Sequence, residues 1–283
     1  GDICVRTDIE NIKKIDTKSG KESILVTLEE VNEALKNGKM PYKLTGHIKP
    51  LRTLMAASLP WGDRNVITFT QYDDRTPGQK YMIWYDFSKK KIVNLFNLQG
   101  EGPTNFDFCK ENGYMAYTIG NDLYVAHEGD FSSMVNPKVT GNQQQEKDVV
   151  YGQAVHRNEF GIMKGTFWSP KGTYLAFYRM DQSMVTDYPQ VNTTARIAEL
   201  VPDKYPMAGM TSHKVTDGIY NVKDGKTIYL QAGDPTDRYF TNISWGPDEK
   251  SVFVIELNRD QNHAQLVPVS YTHLRAHETR SNL

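Results

Sequence analysis

One sequence unit recurs along this chain and limits the folds it can adopt: an apolar strand, a short polar turn and a second apolar strand. Two copies place an aromatic residue before Ser-Pro or Gly-Pro; they read FWSPKGTYLAFY at residues 167–178 and SWGPDEKSVFVI at 244–255. The proline sets φ for the turn, and the aromatic ring can pack between neighbouring sheets. A third copy covers residues 105–125, and a looser one begins at residue 59. Such repeats predict small sheets stacked radially or in a row.

Counting these units divides the chain into five segments, of which the first is partial. They lie near residues 3–50, 51–98, 99–145, 146–234 and 235–268. The fourth segment is too long for one four-stranded sheet, and its prolines predict an irregular excursion over residues 184–216. Apolar and polar residues alternate incompletely in the strands, as expected where neighbouring sheets cover both faces. A generic β-sandwich is the alternative that this pattern leaves open.

A single short helix is predicted at residues 28–36. Thr27 and Glu30 have the spacing of a capping box, in which each side chain accepts a hydrogen bond from the other residue's backbone. The apolar residues that follow fall on one face of such a helix, and they are Val31, Ala34 and Leu35.

Charge and composition exclude several classes of partner. The net charge is −1 and the isoelectric point is near 6.7, so there is no electrostatic footprint for nucleic acid or an anionic membrane. No apolar run approaches the roughly 20 residues that span a bilayer, so we expect no membrane partner. Cys4 and Cys109 are too few for a disulfide framework.

The tract at residues 155–181, VHRNEFGIMKGTFWSPKGTYLAFYRMD, carries a resemblance to a known family. It resembles the N-terminal β-propeller of the dipeptidyl peptidase IV branch of the prolyl oligopeptidase family, and within that branch the bacterial prolyl tripeptidyl peptidases. The resemblance continues through residues 205–209, 218–220 and 257–262, and it weakens before about residue 104. It implies an all-β fold: an incomplete β-propeller of about four to five blades out of eight, without the catalytic α/β-hydrolase domain.

The last residues depart from this pattern. Residues 269–283 begin VSYTHLRAHET and resemble the translation of a sequencing-adapter read-through. We therefore expect a partial propeller domain over residues 1–268 and a non-native tail over 269–283. His273 and His277 stand four residues apart, as zinc ligands on a helix do, but the adapter interpretation is the stronger one.

The resemblance also points to a binding residue for the substrate. In such enzymes a glutamate on the propeller binds the free amino terminus of the peptide, and Glu159 matches it. Members that release dipeptides typically present two adjacent glutamates, whereas this chain has Asn158-Glu159. Both residues are candidate substrate-binding residues, and the single glutamate favours release of Xaa-Xaa-Pro tripeptides over Xaa-Pro dipeptides. The alternative is a surface glutamate that pairs with Arg157 or His156.

A second candidate for substrate binding is Arg75. It lies eleven residues before Asp86, a spacing that resembles the family's arginine for a substrate carbonyl. The alternative is a solvated loop arginine near Asp73 and Asp74. A zinc site at His156 and Glu159 would need a third ligand, and none stands at a recognisable spacing, so we expect no metal and no cofactor.

The sequence contains no G-x-S-x-G motif, which a serine hydrolase of this family needs for its nucleophile. Ser169 lies in a predicted turn, and Ser212 beside His213 lacks the flanking glycines. We therefore expect no catalytic residue in this chain.

The expected role is to gate and anchor peptides with a free N-terminus for a serine exopeptidase. By resemblance, the intact protein is secreted or periplasmic and able to form a homodimer. The alternative is a non-catalytic propeller that binds proteins or senses ligands.

Overall fold

The computed structural model describes residues 4–38, 46–59, 65–98, 102–109, 111–127, 139, 147–230, 238–270 and 275–276. The chain divides into two compact units, which are described separately. The first contains residues 1–103 and 126–137, and the second contains residues 104–125 and 138–283.

The first unit contains two antiparallel three-stranded sheets and a helix. Its strands are β1 (Cys4–Thr7), β2 (Asn11–Ile15), β3 (Glu22–Thr27), β4 (Val66–Tyr72), β5 (Lys80–Asp86) and β6 (Lys91–Asn97). One apolar core holds the unit together, and buried residues of both sheets and of the helix contribute to it. The two predicted segments in this part of the chain therefore correspond to two sheets.

The predicted helix is confirmed as α1 (Leu28–Asn37). Thr27 and Glu30 form the capping box in both directions. Its predicted apolar face is buried, and the buried residues are Val31, Ala34 and Leu35. Within the described residues, no helix has the length and apolar character needed to cross a bilayer.

The second unit contains three antiparallel sheets, with three, five and four strands. The first has strands β7 (Thr104–Phe108), β8 (Tyr114–Ile119) and β9 (Asp122–His127). The second has β10 (Val149–Tyr151), β11 (Thr166–Trp168), β12 (Tyr174–Asp181), β17 (Lys214–Asn221) and β18 (Thr227–Tyr229). The third has β19 (Arg238–Trp245), β20 (Ser251–Asn258), β21 (Ala264–Ser270) and β22 (Arg275–Ala276). Two apolar cores are formed between successive sheets.

The aromatic residue of the repeat packs between sheets, as the sequence predicts. Trp168 Nε1 donates to the carbonyl of Asp107 at 3.0 Å, and Trp245 Nε1 donates to the carbonyl of Phe167 at 2.8 Å. Each indole thus ties the first strand of one repeat to the first strand of the preceding repeat. Because a partly buried indole N–H favours a protein acceptor, this contact helps to fix the register between neighbouring sheets.

The excursion from the second of these sheets is more regular than the sequence predicts. It forms a β-ribbon, here called the arm, in which β13 (Asp187–Tyr188) pairs with β16 (Asp203–Lys204) and β14 (Val191–Asn192) pairs with β15 (Glu199–Leu200). Pro189 and Pro202 lie between the two ladders, because proline has no N–H to donate to a ladder. The arm ends before Lys214, where β17 begins, so residues 214–216 belong to the sheet.

The strand pattern also continues slightly further than expected near the C-terminal end. Val269 and Ser270 complete β21 and pair with Val252 and Ser251. Val269 is only 1% exposed and belongs to an apolar core. With β22 (Arg275–Ala276) beside β21, the sheet therefore includes four residues that the sequence pattern assigns to the tail.

Candidate functional site

The predicted binding residues Asn158 and Glu159 lie in a loop that leaves and rejoins one edge of β12. Along this edge β11 pairs with residues 175–177 and β10 pairs with residues 179–181. Tyr178 stands between them and closes the loop: it accepts a hydrogen bond from Gly152 N at 2.9 Å and donates its own N–H to Gly165 O at 3.0 Å. The sheet therefore holds both ends of the loop at one residue.

The tip of the loop, residues 156–161, has an unusual backbone and is called here the left-handed turn. His156, Arg157, Asn158 and Phe160 all have φ between 52° and 64°, and Gly161 has φ 73°. Only Glu159 has an ordinary extended conformation, with φ −69° and ψ 168°. Because a left-handed conformation costs a non-glycine residue roughly 1–2 kcal/mol, tertiary contacts must hold this turn.

An aromatic cluster supplies those contacts on the inner side of the turn. His156 is 5% exposed and His213 is 8% exposed. His156 Nδ1 lies 2.8 Å from His213 Nε2, and the two rings stack with centroids 4.8 Å apart. Tyr239 contacts the rings of both His156 and Phe160, at centroid distances of 4.9 and 5.0 Å.

Burial keeps both imidazoles of this pair neutral near pH 7. For His156, loss of solvent and the neighbouring His213 lower the pKa to about 3. For His213, loss of solvent, together with Arg259 and Arg157, lowers the pKa to about 4. A pair of neutral rings can share one hydrogen bond, with one nitrogen donating and the other accepting.

The outer side of the turn is attached to the arm. Arg157 Nη1 lies 3.5 Å from Asp203 Oδ2, and its guanidinium lies 4.6 Å from the centre of the Tyr205 ring. Both members of the ion pair are about half exposed, so the pair contributes little stability. Its consequence is geometric, because it directs the Arg157 side chain to the arm.

Glu159 is exposed, and its two expected alternative partners are engaged elsewhere. Arg157 contacts Asp203, and His156 contacts His213. In the described part of the chain, no side chain forms a hydrogen bond or ion pair with the Glu159 carboxylate. Asn158 is exposed beside it, and its N–H donates to the carbonyl of Val155 at 3.1 Å. The turn therefore presents an unpaired carboxylate on a constrained backbone.

Arg75 lies in the first unit, in the turn between β4 and β5. It is exposed, and its N–H donates to Asp73 Oδ1 at 2.7 Å. Asp73 also accepts from Thr76 N at 2.9 Å, so this carboxylate organises the turn. The structure thus brings Asn158 and Glu159 together in one turn and places Arg75 in the other unit.

Ser169, one of the two serines that the sequence raises as nucleophiles, lies in a structural position. Ser169 is buried, and its Oγ donates to Glu249 Oε1 at 2.5 Å. Glu249 also accepts from Lys171 N and Thr173 Oγ1, so it joins the turn of one sheet to the turn of the next.

Across the described ranges, no three His, Cys, Asp or Glu side chains are grouped as metal ligands would be.

Sequence reasoning missed the residues that hold the turn in place. His213 is 57 positions from His156, and the whole arm lies between them. Tyr205 and Asp203 belong to the arm, and Tyr239 belongs to the next sheet. The sequence gives one signal for the arm: the resemblance to the family continues through YPMAG at residues 205–209.

Comparison with known proteins relates this chain to one family. A model of the "Dipeptidyl peptidase IV (DPP IV) N-terminal region" matches residues 62–282. A Phaeosphaeria nodorum protein named as a dipeptidyl-aminopeptidase B is 28% identical over 180 residues, which are 56% of this chain and 19% of that protein. A Trichophyton verrucosum protein named as a dipeptidyl peptidase 4 is 23% identical over 193 residues, 65% of this chain and 25% of that protein.

Two solved structures are similar over almost the whole chain. A Bacteroides ovatus protein named as a dipeptidyl aminopeptidase IV is 45% identical, with a TM-score of 0.75, and the match covers 98% of this chain and 35% of that protein. Porphyromonas gingivalis dipeptidyl peptidase 4 is 21% identical, with a TM-score of 0.68 and coverage of 98% and 38%, and it supports the fold alone. This chain therefore spans less than two fifths of these proteins.

These matches agree with the fold class that the repeats and the resemblance predict. The described residues form an all-β arrangement of small antiparallel sheets, and an incomplete β-propeller is confirmed. The family model matches most of the chain. The chain belongs to the family of dipeptidyl peptidase IV N-terminal regions.

Proposed function

We propose that this chain is the substrate-anchoring part of the propeller of a serine exopeptidase that removes short proline-ending peptides from free N-termini. Glu159 binds the ammonium group of the peptide, and Asn158 beside it contacts the same end of the substrate. Another domain of the intact protein supplies the serine nucleophile. The intact protein acts outside the cytoplasm, in the periplasm or as a secreted enzyme.

The observation that carries this proposal is the unpaired Glu159 carboxylate on the left-handed turn. An ammonium group that enters a partly enclosed site loses water and needs a compensating charge. Hydrogen bonds between charged partners are roughly twice as strong as neutral ones. Because the neighbouring Arg157 and His156 are engaged by Asp203 and His213, the carboxylate is available for an incoming cation.

A fixed carboxylate also explains how such an enzyme would select the length of the released peptide. A carboxylate held at a set distance from the nucleophile admits only the peptide whose amine reaches it while the scissile bond reaches the serine. One glutamate beside Asn158, rather than two adjacent glutamates, favours tripeptide release. Arg75 would orient a backbone carbonyl of the bound peptide.

A substrate panel tests this function on the full-length protein. We expect chromogenic Xaa-Xaa-Pro and Xaa-Pro substrates with free amines to be cleaved, with the tripeptide preferred. N-acetylation should lower kcat/KM by at least roughly 30-fold, because it removes the cation that Glu159 binds. Failure to cleave any prolyl substrate would favour a non-catalytic binding or sensing propeller.

The arm supports a proposal about assembly of the intact protein, which we expect to be a homodimer. It exposes apolar side chains, of which Ile197 is 80% exposed and Leu200 is 72% exposed. Large exposed apolar side chains on one ribbon are typical of a protein interface. Light scattering should find a dimer that the double variant Ile197→Asp, Leu200→Asp dissociates. A dimer that resists these changes would place the interface elsewhere.

A further inference from the structure

One of the two buried histidines, His156, lies three residues before Glu159 in the left-handed turn, and the other, His213, contacts it. Burying polar ring nitrogens is unfavourable unless they find hydrogen-bond partners, and here one nitrogen of His156 and one of His213 find each other. Within the described part of the chain, neither ring forms an ion pair with a carboxylate, so the pair differs from an ordinary buried salt bridge. An apolar pair would fill the same space at less cost in solvation, which suggests that the pair has a geometric role.

The position of the pair along the chain shows what it can hold. His156 begins the left-handed turn, and Phe160 directly follows Glu159. Tyr239 packs against both rings, at 4.9 and 5.0 Å, so Glu159 lies between two side chains fixed by the same partner. His213 adds a directional contact to this cluster, because its Nε2 lies 2.8 Å from His156 Nδ1, within hydrogen-bond distance.

We propose that His213 is a positioning residue, which fixes His156 and the left-handed turn and thereby sets the place of the Glu159 carboxylate. This inference rests on the proposed function of Glu159. His213 directly precedes β17, where the arm returns to the sheet. The root of the arm therefore controls the geometry of the amine-binding residue, while Arg157 and Asp203 attach the outer face of the turn to the same arm.

Two substitutions of His213 separate the hydrogen bond from the filling of space. His213→Phe keeps an aromatic ring of similar size but cannot hydrogen-bond to His156 Nδ1. His213→Gln carries an amide nitrogen that can reach the position of Nε2. The exposed His263→Gln is the matched control, and all variants are made in the full-length protein. KM and kcat are measured with free-amine and N-acetylated prolyl peptides.

We expect His213→Phe to raise KM for free-amine substrates by roughly fivefold to tenfold, because a buried ring nitrogen of His156 loses its hydrogen-bond partner and the turn loses its constraint. The kcat value should stay within about twofold, since the hydrogen bond does not touch the reacting atoms. His213→Gln should restore KM to within about twofold of the wild-type value. In a Glu159→Gln background, His213→Phe should have no further effect.

Distinct outcomes would overturn this inference or the function on which it rests. If Glu159→Gln raises KM while His213→Phe does not, His213 has no positioning role and the proposed function stands. If neither variant changes KM, the proposed function of Glu159 is wrong, and the inference that rests on it falls with it. An equal rise in KM for N-acetylated peptides would assign His213 a general structural role and also overturn the inference. Should the phenylalanine variant not fold, His213→Asn, whose amide ends short of His156, must give the same rise in KM.

Discussion

Replacing Glu159 by Gln in the full-length protein will lower kcat/KM for free-amine prolyl peptides by roughly 30-fold, mainly through KM. Glutamine keeps the shape of the side chain but removes its charge, so the ammonium group loses its counter-ion. Removing one partner of such a pair costs about 2–5 kcal/mol, and the exposure of the turn favours the lower end of this range. About 2 kcal/mol corresponds to the roughly 30-fold change.

N-acetylated peptides provide the internal control for this result. They carry no ammonium group, so their kcat/KM should be the same in the wild type and in Glu159→Gln. Glu111→Gln, which changes another exposed glutamate of the second unit, should leave both substrate classes unaffected. A loss of activity that is equal for both classes would show that Glu159 acts on folding rather than on the amine.

The second large effect is expected on stability, from Gly165→Ala at the closure of the loop. A Cβ atom at this position would lie 2.2 Å from the carbonyl oxygen of Gln153 and 2.3 Å from its backbone nitrogen. The backbone of Gln153 has little freedom to move, because its side chain donates to the carbonyl of Gly120. Overpacking against fixed backbone costs about 3 kcal/mol, so the free energy of unfolding should fall by about that amount.

Denaturant unfolding of the full-length protein measures this change. Gly102→Ala is the matched control, because its Cβ would meet neighbours only at 3.5 Å or more, an ordinary van der Waals contact. That variant should lie within about 0.5 kcal/mol of the wild type. A Gly165→Ala variant as stable as Gly102→Ala would show that the loop closes differently from the structure described.

Much of the fold could be predicted because its signals are local. The capping box of Thr27 and Glu30 identifies the helix from a spacing of three residues. The Trp-Ser-Pro and Trp-Gly-Pro turns identify the strand pairs β11–β12 and β19–β20, since proline and the polar residues after it specify a turn. The arm differs from its prediction because its prolines indicate irregular chain in the sequence, whereas in the structure they interrupt a ribbon without preventing its ladders.

The site was only partly predictable, for a physical reason. The resemblance identifies Glu159 as a candidate. The run HRNEFG, however, does not predict several left-handed residues, since Asn158 and Gly161 are the two that favour that conformation. Tertiary contacts override local preference here, through His213 from the root of the arm and Tyr239 from the next sheet. Contacts over such sequence separations leave no spacing that a single sequence can reveal.

A crystal structure of the full-length protein with a bound prolyl tripeptide tests the central claim most directly. The account predicts that the terminal amino nitrogen lies about 2.7–2.9 Å from a carboxylate oxygen of Glu159, as a charge-assisted hydrogen bond requires. The left-handed turn should keep its backbone conformation in that complex. A peptide amine bound by other residues, with the Glu159 carboxylate left in solvent, would contradict it.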